Sequence, residues 1–227
     1  VAVYSDQPLA DNQLNAANCF VESSQRPLLS AFDAVVGSWI ADRNLPTYRT
    51  RQIRHGIFQR RARDWQALTD LPKSLRAELE AGLPLWTTQV VRHAQTDDGT
   101  EKLLLQLADG GQVECVLIRD RRRRTFCIST QVGCGMGCVF CASGLDGVER
   151  NLSTGEIVEQ MLRLQHLLGE EETLSHIVVM GMGEPLANLP ALLPALEEAH
   201  RRDGLGIGAR RITVSTVGIP AAIDRRA

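Results

Sequence analysis

Apolar residues recur at helical spacing from Leu29 through Phe32, Val35 and Val36 to Trp39. Pro46 interrupts that stripe. The helical period resumes over 49–63, with Ile53, Ile57 and Phe58 on the apolar side and Arg51, Arg54, Arg60 and Arg61 largely off it. A third helix restarts after Pro72, with Leu75 and Leu79 facing inward. At Leu85 the period changes to two. Strands are expected over 85–94, 101–107 and 112–118, joined at Asp97-Asp98-Gly99 and Asp109-Gly110-Gly111, both hairpin turn signals. From Thr125 strands alternate with helices. A strand over 126–132 leads into a glycine-rich loop, and Ser153-Thr154-Gly155-Glu156 starts a helix running to about Leu168. A short buried strand over 176–180 and a helix over 189–202 follow. Pro190 is tolerable in the first turn of that helix, whereas Pro194 costs it regularity. A last strand covers 211–216. Residues 1–27 are polar and show no period, which predicts a flexible tail. The division is therefore a tail (1–27), a helical domain (28–84), an antiparallel hairpin segment (85–124) and an α/β unit with parallel strands (125–227). In such α/β units the chemistry sits at the C-terminal ends of the strands.

Composition narrows the class. The chain has 227 residues, of which 44% are hydrophobic and 23% charged, as expected of a globular protein of one or two domains. No apolar run approaches the roughly 18 residues of a membrane span, and Val1–Ala10 carries no signal-peptide pattern. The formal charge of −2 conceals a basic stretch. Between Arg43 and Arg76 lie eight arginines and Lys73 against Asp64 and Asp70, a balance of +7, and Arg121-Arg122-Arg123-Arg124 forms a second run. Arginine forks suit phosphate and stack on bases; a solvated helix face and a charged hairpin tip would give the same pattern.

Three of the six cysteines lie within eight residues, Cys134, Cys138 and Cys141, on a loop with glycines at 133, 135 and 137. That crowding suits a metal centre in a reducing compartment better than disulfides, and so a cytoplasmic protein. Three thiolates suit three irons of a cubane cluster and leave the fourth iron open to a ligand, whereas Fe–S clusters are more often held by four. A zinc site remains the alternative, with its fourth ligand from Cys115, Cys127 or one of five histidines. Further along, an apolar run delivers Gly181, Gly183 and Glu184 to a strand end. Glycine there lets backbone approach a ligand, and a carboxylate can hold an ammonium group. Ser215 and Thr216 close the last strand, with hydroxyls able to meet a carboxylate.

The Cys-x3-Cys-x2-Cys spacing resembles the signature of radical S-adenosylmethionine enzymes. Three stretches in order, Thr125 to Cys134, Gly181 to Pro185 and Arg211 to Thr216, together resemble the RlmN/Cfr family of radical S-adenosylmethionine RNA adenine methyltransferases, most closely its RlmN branch. The resemblance runs from about Leu28 to the C-terminus. It implies a partial radical-SAM (β/α) barrel with about three of six units, a [4Fe–4S] cluster on Cys134, Cys138 and Cys141, and S-adenosylmethionine contacted by Gly183, Glu184 and Ser215. It implies Glu114 as proton acceptor and Cys127 as the cysteine that resolves a covalent RNA–enzyme adduct through a transient disulfide. Read without the family, Glu114 is a solvent-facing strand residue and Cys127 a buried strand cysteine. The implied activity is methylation of carbon 2 of adenine in 23S ribosomal RNA and transfer RNA by a monomer supplied with an electron-donating reductant. The family's methyl-carrying cysteine belongs to a downstream segment this sequence does not include, so the expectation is a C-terminally truncated chain. Two alternatives follow: an inert cluster- and RNA-binding remnant, or a Cfr-like enzyme acting at carbon 8.

Overall fold

The computed structural model describes residues 28–223. The expected tail at 1–27, with Cys19, lies outside the described residues. Three helices open the structure: α1 (Phe32–Ala41), α2 (Tyr48–Phe58) and α3 (Lys73–Gly82). They bury Phe32, Val36, Ile40, Ile53, Ile57, Leu75 and Leu79 against one another and against Leu68 and Trp65. Each such side chain contributes about 1.5–3 kcal/mol when fully buried. Helix α2 stops at Phe58 rather than continuing to residue 63, because Arg61 takes φ 56° and turns the chain. Arg54, expected off the apolar stripe, is instead only 2% exposed; its guanidinium packs over Phe32 and Phe58 and pairs with three carboxylates.

Strands β1 (Gln89–Gln95), β2 (Glu101–Gln106), β3 (Gln112–Asp120) and β4 (Arg123–Cys127) form an antiparallel meander. Strand β7 (His176–Val179) then pairs parallel with β4, and β8 (Ile212–Val214) parallel with β7. The hairpins and the parallel strands make one six-stranded sheet, ordered β1-β2-β3-β4-β7-β8. The step from residue 124 to 125 falls inside β4. The first strand starts at Gln89 rather than Leu85, because Thr87 and Thr88 bond Glu159 and Trp86 stacks with Arg163, both on the helix Thr154–Gln165. The expected strand over 126–132 is split. Phe126 and Cys127 belong to β4, while β5 (Gln131–Gly133) leaves the main sheet to pair with β6 (Val148–Asn151), a strand the pattern did not predict.

Helix α4 (Thr154–Gln165) begins at the expected capping box, with reciprocal bonds between Ser153 and Glu156. Helix α5 (Leu189–His200) carries Pro190 in its first turn and Pro194 inside. A last turn, α6, covers Pro220–Ile223. Both long helices cross the same face of the sheet, where Leu103, Leu105, Val113, Cys115, Leu117, Phe126, Ile177 and Val179 are buried. Alternation puts Lys102, Leu104, Glu114, Val116, Cys127 and Val178 on the other, partly open face. The result is a mixed α/β fold with three parallel strands. Among the described residues, no helix is long and apolar enough to cross a membrane.

Candidate active site

The open sheet face brings together two of the residues singled out from sequence. Cys127 on β4 is paired with Val116 on β3, and Glu114 lies two residues from Val116 on the same side. Both are partly exposed, and the Glu114 carboxylate meets Lys102 Nζ at 2.9 Å. Arg92, Ala94, Lys102, Leu104 and Glu114 line a hollow of about 220 Å³ on this face. Burial raises the Cys127 thiol above its ordinary range, against a smaller opposing effect of the Met180 backbone, so the sulfur is held as a thiol. Cys115, one residue before Val116, faces the helices and is fully buried, which forces its thiol far upward.

The chain leaves β4 along a built edge. Ser129 Oγ donates to Glu114 O (2.6 Å) and accepts from Met182 N (2.8 Å), while its backbone exchanges bonds with the Gln160 amide (2.8 and 3.1 Å). Thr130 N donates to Met182 O, so the strand ends of β4 and β7 run on side by side. Close approach explains the glycines there. A Cβ on Gly181 would sit 2.5 Å from Ser129 Oγ, and one on Gly183, at φ 100°, would sit 2.7 Å from Gln131. Both face their own neighbouring strand. Glu184 is buried; its backbone N donates to Gln131 Oε1 (2.8 Å), and its carboxylate accepts from Leu186 N (2.9 Å), Val217 N (3.0 Å) and the Thr216 hydroxyl. Glu184 thereby ties the β7 end to the β8 end. Ser215 is exposed beside it, with its backbone N bonded to Val179 O.

The cysteine loop follows β5. Cys134 N donates to Gly147 O (2.8 Å) and Cys141 N to Cys138 O (3.0 Å), with Gly133, Gly137 and Gly147 all at positive φ. Cys134, Cys138 and Cys141 are free and partly exposed, and Cys115 and Cys127 are also free. Among the described residues, no three His, Cys, Asp or Glu side chains are gathered around one point. Met136, Val139, Phe140 and Leu145 project from this loop into solvent.

A sequence model described as the Radical SAM superfamily matches residues 128–225, which cover the cysteine loop and both strand ends. The chain is 58% identical over 189 residues to the probable dual-specificity RNA methyltransferase RlmN of Rhodopirellula baltica, matching 83% of this chain and 51% of that protein. It is 42% identical over 187 residues to the dual-specificity RNA methyltransferase RlmN of Syntrophobacter fumaroxidans, matching 82% and 55% respectively. The chain belongs to the RlmN family of radical SAM proteins. The crystal structure of a radical SAM methyltransferase from Sphaerobacter thermophilus superposes with a TM-score of 0.83 at 43% identity, covering 89% of this chain and 60% of that one. The chain spans about half the length of the curated RlmN relatives it matches. RlmN membership implies a [4Fe–4S] cluster and S-adenosylmethionine. The donor set suits that cluster in kind, though its side chains are not gathered at one point: three free, partly exposed thiols lie within eight residues on a glycine-turned loop, the donor chemistry iron–sulfur centres use.

Sequence reasoning missed Lys102, Ser129 and Gln131. The alternation of β2 puts Lys102 on the Glu114 face, so its side was readable, but its partner follows from a register that only pairing defines. Ser129 and Gln131 sit between two expected features and read as ordinary strand residues.

Proposed function

We propose that this chain is the radical SAM core of an RNA adenine methyltransferase of the RlmN type, directing a methyl group to carbon 2 of adenine in 23S ribosomal RNA and transfer RNA. The observation that carries this reading is the placement of Glu114 and Cys127 on one open sheet face, in a chain of this family that also bears three free thiols on one loop. Cys134, Cys138 and Cys141 would hold the cluster. Bound and reduced, it supplies one-electron cleavage of S-adenosylmethionine, which opens a radical route to a ring carbon too poor a nucleophile to attack a sulfonium. Gly183, Glu184 and Ser215 lie at adjoining strand ends and are assigned to S-adenosylmethionine. An ammonium group reaching Glu184 would compete with Thr216 and Val217 for its oxygens.

Glu114 accepts the proton that leaves the ring carbon as its substituent is exchanged. Cys127, kept protonated by burial until used, gives up its proton and attacks the sulfur of the covalent adduct, so that a transient disulfide forms with the family's methyl-carrying cysteine as the sulfur–carbon bond breaks and its electron pair passes to the RNA-bound carbon. The target adenine must leave its stack to reach the sheet face. The exposed arginines, Arg121 to Arg123 at the β3–β4 turn among them, are available to RNA phosphates. The crowded thiols call for a reducing cytoplasm and an electron donor, and the working form is assigned as a monomer.

The test is anaerobic reconstitution, with iron and sulfide, of the chain extended by the family's segment that carries the methyl-bearing cysteine, followed by reductant, S-adenosylmethionine and RNA, with nucleosides identified by mass spectrometry. The expected product is 2-methyladenosine. An 8-methyl product would place the chain with Cfr-like enzymes, and deoxyadenosine release without methylated RNA would mark a cluster- and RNA-binding unit.

A further inference from the structure

Two rows of side chains cross the open sheet face. One runs through Ala94, Lys102, Val116, Cys127, Val178 and Thr213; the next runs through Arg92, Leu104 and Glu114. Lys102 therefore stands diagonally across the β2–β3 pair from Glu114, a separation that long side chains span. Its Nζ lies 2.9 Å from Glu114 Oε1. The backbone beneath is a regular antiparallel ladder from Glu101↔Leu117 to Gln106↔Gln112, so both anchor points are fixed. Ser129 adds a second tie, bonding the carbonyl of Glu114 itself.

Lys102 is about one-third exposed and Glu114 rather more. An ion pair that wet contributes little to stability. It does restrict a side chain that would otherwise sample several rotamers over the hollow lined by Arg92, Ala94, Lys102, Leu104 and Glu114. A proton acceptor has to be held within hydrogen-bond reach of the atom it serves, and small misplacements are costly. The chain otherwise uses arginine at almost every basic position and has lysine only at 73 and 102. A compact ammonium contacts one carboxylate oxygen and leaves the other open, whereas an arginine fork can take both.

We propose that Lys102 is a positioning residue, whose ammonium holds the Glu114 carboxylate in one orientation over the open face, beside the row that contains Cys127. The proposal rests on the reading of Glu114 as proton acceptor. Lys102 does not touch the substrate in this scheme; it acts through Glu114.

The test is a double-mutant cycle in the same extended chain, reconstituted as above, with Lys102→Met, Glu114→Gln and the double variant, and Lys102→Arg as the conservative replacement. Single-turnover methyl transfer should fall about tenfold to hundredfold in Lys102→Met, while the dissociation constant for an RNA hairpin stays within about twofold, since no RNA contact is lost. Lys102→Arg keeps the charge and should recover part of the rate, short of wild type because its fork can take both carboxylate oxygens. In the Glu114→Gln background, Lys102→Met should have no further effect. A readout independent of turnover is the carboxylate carbon NMR signal of Glu114, assigned by its disappearance in Glu114→Gln. It should move to the position of a freely rotating glutamate in Lys102→Met and return in Lys102→Arg. Additive losses in the cycle, an unmoved carboxylate signal, or a rate loss matched by weaker RNA binding would each overturn the assignment. The failure of the functional reading looks different. Wild-type transfer that survives Glu114→Gln removes Glu114 as acceptor, and Lys102's role with it. A chain that transfers no methyl group at all sinks the proposed activity and leaves the carboxylate signal to decide the Lys102–Glu114 pair.

Discussion

Gly183 shows how tightly one residue can be specified by its own neighbours. It takes φ 100°, and a methyl group there would press on Gln131 at 2.7 Å and on Thr130. Gly183→Ala therefore combines a left-handed backbone with a collision, and is expected to cost about 2–3 kcal/mol, read as a lower urea midpoint at unchanged slope. His166 makes a prediction about acid. Burial, with Arg63 and Arg163 nearby, lowers its pKa from 6.5 to about 4, and its ring sits edge-on against Trp86. The folded state thus favours the neutral imidazole. Its stabilising contribution is complete above pH 6.5, where the unfolded chain is also neutral, and is lost as pH falls from 6.5 to about 4 while only the unfolded state takes up a proton. The loss should be about 2–3 kcal/mol. Denaturation midpoints from pH 7 to 4 should show this decline in the wild type and a flatter one in His166→Phe.

Among the elements, what could be read from sequence was whatever is decided locally. The three N-terminal helices, both hairpin turns, the Ser153–Glu156 capping box and the order of the parallel strands were legible because side-chain period and capping chemistry act within a few residues. The split of 126–132 was not. It depends on Thr130 and Gln131 bonding to Met182, more than fifty residues on, and on Cys134 bonding to Gly147, and no local pattern carries those contacts. Of the site, the cysteine triplet and both strand-end motifs were legible as motifs, whereas the shared face of Glu114 and Cys127 needed the β3–β4 register. Glu159 belongs to the same illegible class. It lies on α4, is 1% exposed, and accepts from the backbone N and hydroxyl of both Thr87 and Thr88 at 2.6–3.1 Å. Arg163 closes the cluster by donating to Thr88 O. Glu159→Ala strands these donors and should cost about 3–5 kcal/mol, seen as a fall in thermal midpoint. Glu159→Gln keeps acceptor capacity and should cost less.

On the scale of the whole molecule, the arginines that suggested a nucleic-acid surface are largely spent on assembly. Arg61 donates to the carbonyls of Leu168, Gly169 and Glu172, Arg63 to that of His166, and Arg76 to that of Gln66. Arg54 is the centre of this seam. From α2 it reaches Asp33 on α1 (3.2 Å), Glu198 on α5 and Asp203 just beyond α5 (3.1 Å), so one buried cation joins the N-terminal helices to α5. Arg201 reinforces it from the other side through Asp33 and Asp203. Removing the cation leaves three carboxylates facing one another with Arg201 alone to balance them. Arg54→Met, which keeps the packing between Phe32 and Phe58, should cost about 3 kcal/mol, and the cost should fall unevenly. Amide hydrogen exchange of α1 and α2 should accelerate more than that of β2 and β3, because these helices lose their anchor while the sheet keeps its ladder. Arg51→Ala, on the exposed side of the same helix, should stay within about 0.5 kcal/mol of wild type. Equal acceleration across helices and sheet would show that the seam does not hold the two parts together and that Arg54 only fills space between two aromatic rings.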